Sequence, residues 1–592
     1  MPEICRDSFR ELWLPRELWL PDFEFDHPDG ECVRSVRCLV AWELRSGRKI
    51  QMWEDEFGPT CPYNISRESC VISFALDAEL SCHQFLGWGF PAYAIDLRVE
   101  FLRATNTSPP PPKEKGKGWG SLLQALTYYG LDPIDAVVKQ QMRALVIRGG
   151  PYTADERKEI LDYCECDVRA ASRLLRVMIK RGDLHFDRRL IYALFRGHYM
   201  KAVTRMEFTG VPIDLERYDR LTNRWDLIKM KLIETLGKSF GVYDETGSFS
   251  RKRFAWYLNK RGWGWPMHES GQLDMRDKTF EMMAEIHSEL EPLRQLDYCL
   301  GKLKLRELYV GRDGFNRCWL APYASRTSRN QPSNSHFIFG PAVWLRDFLI
   351  QPKPGWGLCY LDWRGQELAI AAGGSGDVAL MKACASDDPH LHFGKQAGLI
   401  PSWATAETHP REREQLKVLG LAVQYGLKYR SLSLRIDQPD IVGRELLRLH
   451  RKVYRRFWEW SDNRVSRALL STEQRTVFDW LLRFKEPPKI NSVRNFYCQA
   501  NGAEMMRCAC CFAMEAGIEL CAPVHDGFLI QAPLDRLDND VACMRACMAR
   551  ASRVILRGFE LRSDAHVFRY PERYSDPKGR GRFMLETILK FL

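Results

Sequence analysis

Apolar and polar positions divide the chain into a strand-like beginning, a helical middle and an alternating α/β remainder. Glu17-Leu18-Trp19-Leu20-Pro21 runs straight into Asp22 and predicts the start of a strand. The same short phrase stands just upstream as Glu11-Leu12-Trp13-Leu14-Pro15, too brief to mark a repeat fold. Val36-Arg37-Cys38-Leu39-Val40 and Ala41-Trp42-Glu43-Leu44 predict further strand. Residues 104–120 hold Pro109 to Pro112 and a lysine-glycine run, a composition that predicts a stiff surface loop. Helical patterning starts at Ser121-Leu122-Leu123-Gln124-Ala125-Leu126 and continues with breaks through Tyr163 to about Met178. A turn signal at Gly210-Val211-Pro212-Ile213-Asp214 precedes amphipathic segments at 224–236 and 280–308. Past Ala321 a polar, basic, turn-rich stretch leads into an α/β pattern that runs to the end.

A chain of 592 residues exceeds the usual size of one hydrophobic core, so two to four domains are expected. The formal charge of +11 is spread along the chain and suits a groove that follows a polyanion. No run approaches the ~20 apolar residues of a membrane span, and the start lacks a secretory pattern. Nineteen cysteines in that context imply free thiols in a reducing compartment, the cytoplasm. Cys508-Ala509-Cys510-Cys511 lacks the paired spacing of structural zinc sites, and Met505, Met506, Phe512 and Met514 around it predict the packed side of a helix.

Three separated fragments carry candidate chemistry. Asp362 ends the apolar run Leu358-Cys359-Tyr360-Leu361, and Asp526 sits at a tight turn in Pro523-Val524-His525-Asp526-Gly527. Two aspartates on adjacent strand ends can hold a pair of divalent cations, two Mg²⁺ ions ~3.5–4 Å apart. Between them Arg413, Lys417, Leu421 and Tyr425 recur every four residues, a slowly drifting helical stripe ~18 Å long. Arg413 and Lys417 suit the β- and γ-phosphates of a nucleotide, Leu421 its sugar, and Tyr425 the base pair. Together these are the equipment for nucleotidyl transfer.

On these residues the chain resembles a family A DNA polymerase of the bacteriophage type. Asp362-Trp363-Arg364-Gly365-Gln366-Glu367-Leu368 is similar to motif A, DYSQIELR; Arg413 to Gly426 to motif B, RxxxKxxxFxxxYG; and His525-Asp526-Gly527 to the HDE of motif C. Thr327-Ser328-Arg329 with Gln331-Pro332 is similar to the TGR element at the primer end. Asn495 and Gln499 match the Asn-xxx-Gln pair that touches template and primer. The resemblance implies that Glu367 stands against the ribose 2′ position. It also implies that His525 lies at the nucleotide and that Arg329, Gln331, Asn495, Gln499 and Gly426 contact DNA. The chain departs from the pattern at Ala369, Leu421 and Gly527, where the family carries Arg, an aromatic ring and Glu.

A second set of carboxylates lies upstream. Asp22-Phe23-Glu24 puts two acids on one side of a strand, Tyr163 and Asp167 stand one helical turn apart, and Glu79 and Asp96 supply further acids. The set resembles a DEDDy 3′–5′ exonuclease, which implies two more Mg²⁺ ions, replaceable by Mn²⁺, and a water oriented by Tyr163. The central acid is open between Glu79, which starts an apolar helix, and Asp77, with Glu79 favoured. The chain begins only about twenty residues before Asp22, so no flap-endonuclease region is expected.

The expected architecture is α/β: an RNase H-like 3′–5′ exonuclease domain at 1–185, then a right-hand polymerase domain at 186–592. The thumb would occupy about 190–310, the palm about 311–385 and 490–592, and the fingers about 386–489. Expected partners are primer-template DNA and dNTPs, with no membrane, and the protein is expected to be a monomer that serves DNA replication. Two rivals stay open: a single-subunit RNA polymerase and a non-catalytic DNA-binding scaffold.

Overall fold

The computed structural model describes residues 15–108, 119–132, 136–268, 270–302, 305–424 and 426–592, with backbone alone at 136–138, 301, 302, 306, 421 and 424. The first copy of the doubled pentapeptide (save Pro15), the proline-lysine stretch of the 104–120 loop and Tyr425 lie outside the described residues.

The N-terminal sheet has five strands, in the order Lys49–Trp53, Ser35–Glu43, Glu17–Asp26, Ser69–Ser73, Tyr93–Asp96. The first three pair antiparallel and the last two join in parallel, so the sheet is mixed. The two predicted pieces between 36 and 44 form one strand, with Cys38, Leu39, Val40 and Ala41 all buried. Period-two alternation sorts the side chains between two cores. Leu20, Cys38, Val40 and Ile72 pack with helices Leu122–Tyr129 and Ala154–Lys180. Trp19, Leu39, Ala41 and Val71 face helices Leu76–Phe85 and Leu190–Thr209. Gly197 on the last helix permits a backbone approach no other residue would, since a Cβ there would stand 1.9 Å from the Ala94 carbonyl oxygen. The boundary expected at 185 therefore falls beside a helix seated directly on the N-terminal sheet.

The predicted helical middle is present: Leu215–Leu232 continues as a π-turn to Gly237, and Asp277–Ile286 and Glu291–Lys302 follow. Asp214 starts the first of these by accepting the Arg217 N–H at 3.0 Å. The remainder is built on a four-stranded antiparallel sheet, in the order Glu519–Val524, Gly527–Pro533, Trp356–Trp363, Ser563–Arg569. Helices Ile490–Glu515 and Leu537–Ile555 pack together and cover it. The cysteine run 508–511 is buried inside the former, and the described cysteines are free thiols. The last helix, Arg582–Leu589, returns to Leu215–Leu232 and Trp344–Leu349. Among the described residues no helix is long and apolar enough to cross a membrane.

Candidate active sites

Asp22 and Glu24 stand two apart on their strand and project to the face covered by Ala154–Lys180. Thr153 caps that helix, which sets Tyr163 and Asp167 one turn apart against the strand. Oxygens of Asp22, Glu24 and Asp167 lie within 4.8 Å of one another. The Tyr163 hydroxyl donates to Asp167 Oδ2 at 3.0 Å, and Lys139 Nζ stands 3.5 Å from the same oxygen. The Cys164 thiol donates to Asp22 Oδ2 at 3.3 Å.

Glu79 comes to this cluster from helix Leu76–Phe85, where Asp22, Glu24 and Asp167 all act on its charge. Asp77 is turned elsewhere, accepting from the Trp319 indole at 2.8 Å. Asp96 is a helix cap: it accepts the N–H groups of Arg98 and Val99 at the start of Leu97–Ala104, and that of Leu76.

Burial, and then the charge of their neighbours, holds Asp22, Glu24 and Glu79 well above the ordinary carboxylate range. Glu79 Oε2 and Asp167 Oδ1 are buried without a hydrogen-bond partner. Two buried acceptor oxygens left without donors are costly, and an all-oxygen set of this kind fits hard divalent cations. A cavity of about 290 Å³ lined by Asp22, Phe74, Arg98, Lys139 and Asp167 adjoins them.

The second centre lies on the central sheet. Asp362 is the penultimate residue of its strand, directly opposite Gly527 on one side and Asp564 on the other. Asp526 occupies the turn between Glu519–Val524 and Gly527–Pro533, where His525 adopts φ 57°. The pair is close enough that burial and then Asp526 raise the Asp362 carboxyl above its usual range, while Lys578 opposes the shift. A third carboxylate at Gly527 has no room. A Cβ there would lie 2.4 Å from the Leu361 carbonyl oxygen and 3.0 Å from the Tyr360 hydroxyl. The Tyr360 phenol thus occupies the place beside Asp362 that a Gly527 side chain would need. Two half-buried oxygen donors on adjacent strand ends again fit divalent cations.

Helix Pro410–Gln424 supplies the cations. Arg413 pairs with Asp388, and Lys417 with Glu414 at 2.9 Å. Nothing is described of the Leu421 side chain. His390, which the motifs do not single out, joins this face. Its ring lies over Gly420, 3.1 Å from where a Cβ would stand, and Arg413 and Lys417 act on its charge. Asp388 fixes it by capping helix Pro389–Gln396 through the His390 and Leu391 N–H groups.

Glu367 sits in the first turn of helix Gln366–Ser375 and pairs with Arg329 at 3.2 Å. Arg329 follows Ser328, a residue at φ 60° whose carbonyl and hydroxyl both accept from the buried Arg507 at 2.7 Å. Arg329, Gln331, Arg507 and His525 border one cavity of about 600 Å³. Asn495 and Gln499 are half-buried on Ile490–Glu515. Gly426 turns at φ 64° where a Cβ would strike the Asn491 side chain at 2.4 Å. Lys139, Tyr360, His390, Lys578 and Asp564 were missed in the sequence. Only the Asp388-Pro389 helix start beside His390 gives a local signal.

Residues 340–566 match the family model described as DNA polymerase family A. That span contains Asp362, the helix Pro410–Gln424 and Asp526. A search of the curated proteins finds no match. Among solved structures, the chain is similar to the POL domain of Pol1 from M. smegmatis in complex with DNA primer-template and dNTP. The TM-score is 0.65 at 14% sequence identity, over 93% of this chain and 94% of that one. The chain has the fold of that polymerase domain, and its residues 340–566 match the family A polymerase model.

Proposed function

We propose that this chain is a template-directed DNA polymerase with a 3′–5′ exonuclease of its own, serving replication of phage or prophage DNA in a bacterial cytoplasm. One observation carries the reading. Asp362 and Asp526 meet at adjacent strand ends within the segment that matches family A, in the same segment as a helix that carries Arg413 and Lys417 with His390 against it.

Divalent cations, Mg²⁺ with Mn²⁺ as a substitute, would be held by Asp362 and Asp526, where they supply acidity to a primer hydroxyl and neutralise pyrophosphate. The protein's own groups do the rest. Arg413 and Lys417 exchange Asp388 and Glu414 for the triphosphate, fork and point charge respectively, and His390 donates beside them. Glu367 limits the space at the sugar 2′ position. Arg329, Gln331, Asn495, Gln499 and Gly426 lie along the DNA, with phosphate contacts setting its register. The assignment of 186–592 to thumb, palm and fingers belongs to this reading.

In the N-terminal unit, 1–185, Asp22, Glu24, Glu79 and Asp167 would hold the nuclease cations. The orphaned oxygens of Glu79 and Asp167 favour Glu79 as the central acid. Tyr163 orients the attacking water. Lys139 offers a positive charge that must leave Asp167 as cations enter. Primer extension with Mg²⁺ and either dNTPs or rNTPs tests the polymerase. Extension with dNTPs supports it, extension with rNTPs alone transfers the chain to the RNA polymerases, and failure with both removes the reading.

A further inference from the structure

A cavity of about 710 Å³ opens among helices Arg455–Ser471 and Ile490–Glu515 and the short strand Glu473–Arg475. Arg456, Arg464, Arg467 and Arg557 line it, and among the described residues none has a carboxylate at ion-pair distance. The two acids at its rim are already taken: Glu459 by Arg455 at 2.7 Å, and Glu473 by Arg475 at 3.0 Å. Arg464 lies over the Tyr497 ring at 3.8 Å and the Trp460 ring at 5.4 Å, and its Nε lacks a partner. Burial and the neighbouring Arg467 hold its pKa below the usual guanidinium value. Four uncompensated like charges around one concavity call for a polyanion.

Gln474 identifies the polyanion further. It is 6% exposed, lines the cavity, and has neither amide oxygen nor amide nitrogen hydrogen-bonded. A buried carboxamide left open on both atoms fits a ligand that brings a donor and an acceptor side by side, as a nucleobase edge does. A base can reach a residue this deep only when it is unpaired, and the Arg464 guanidinium that covers the Tyr497 ring presents a plane on which it can stack. The cavity shares walls with the catalytic layer. Tyr497 lies on the helix that carries Asn495 and Gln499, and Gly374 lies in the last turn of helix Gln366–Ser375, which follows Asp362.

We propose that this cavity is a second nucleic-acid site, which takes the unpaired template strand. Its phosphates would lie on Arg456, Arg467 and Arg557, and one base edge on Gln474. The template role rests on the polymerase reading; the binding of a single strand does not.

Anisotropy of labelled primer-templates, with a 5′ overhang of either one or about twelve nucleotides, tests it across a salt series. The wild type should bind the long overhang about tenfold more tightly than the short one. Arg456→Gln with Arg467→Gln should erase that gain, lower the salt slope on the long overhang by about 1.4, and leave short-overhang binding unchanged. Gln474→Leu, which removes the amide and keeps the volume, should cut the gain a few-fold with no change of salt slope. A double variant that binds the long overhang like wild type, or loses affinity equally on both substrates, overturns the proposal. Extension read in the same samples reports on the polymerase separately: a wild type that prefers the long overhang yet never extends would sink that reading and leave this one standing.

Discussion

The N-terminal and central carboxylate sets differ in what surrounds them. Around Asp22, Glu24, Glu79 and Asp167 the fold closes from both sides of a mixed sheet, and two acceptor oxygens are left buried without donors. Around Asp362 and Asp526 a third acid, Asp564, is held by Arg364, the Tyr360 hydroxyl stands where a Gly527 side chain would go, and Lys578 softens the repulsion. The first arrangement stores unfavourable charge that cations relieve. The second stores less, and its cationic residues are paired with acids, Arg413 with Asp388 and Lys417 with Glu414, partners that on the proposed reading a triphosphate would displace. On that reading, the nuclease site would be complete before substrate arrives, whereas the polymerase site would be completed by its nucleotide.

The largest expected break in this comparison comes at the central pair. Asp362→Ala or Asp526→Ala should lower nucleotide incorporation roughly a thousandfold, the scale of ~4 kcal/mol of transition-state stabilisation. DNA affinity, which rests on Lys and Arg contacts, should hold in a filter-binding assay. Normal extension by either variant would discredit the pair.

Next is the N-terminal cluster. Asp22→Ala with Glu24→Ala should reduce metal-dependent shortening of single-stranded DNA by ~100-fold or more while extension stays intact. Glu79→Gln should do nearly as much, and Asp77→Asn little, because Asp77 is engaged with Trp319. The reverse order in a gel-based degradation assay would exchange the two acids.

A smaller effect belongs to Glu367. Removing it with Glu367→Ala should raise the use of rNTPs relative to dNTPs about tenfold, the scale of ~1.4 kcal/mol. An unchanged ratio in competition kinetics would make the Arg329–Glu367 pair structural.

The smallest effect concerns stability. Asp22, Glu24 and Glu79 have raised folded-state pKa values, so their penalty is absent below the ordinary carboxylate pKa near ~4 and grows as pH rises toward the folded values. Asp22→Asn with Glu24→Gln should therefore raise the melting temperature of the metal-free protein at pH 8 by ~2–4 °C, and by less at pH 5. Mg²⁺ should stabilise the wild type more than this variant. Equal melting curves would mean that the folded protein does not raise these carboxyls above their unfolded values.

Much of this layout was legible along the chain. Asp362, Asp526 and the Arg413–Lys417 spacing are local facts of strand ends and helical period, and so are Asp22-x-Glu24 and Tyr163 with Asp167. What escaped is what only tertiary closure brings together. His390 lies on a separate short helix and reaches Arg413 and Lys417 because Gly420 leaves space. Lys578 arrives from a C-terminal segment that folds back toward the sheet. Asp77 and Glu79 both begin the same helix, so periodicity could not separate them, and the rotation of that helix against Phe23 decides which acid faces Asp22. Gly527 looked like a missing carboxylate, yet the near contact with Leu361 explains it as a requirement of strand packing.

The most direct measurement uses labelled primer-templates with matched and mismatched 3′ ends, followed by gel with and without dNTPs in Mg²⁺. Asp22→Ala/Glu24→Ala should neither shorten the primer nor lose the capacity to extend a matched one. Asp362→Ala should shorten the mismatched primer and extend nothing. Loss of both activities in either variant, or extension that survives Asp362→Ala, would contradict two independent carboxylate centres in one chain.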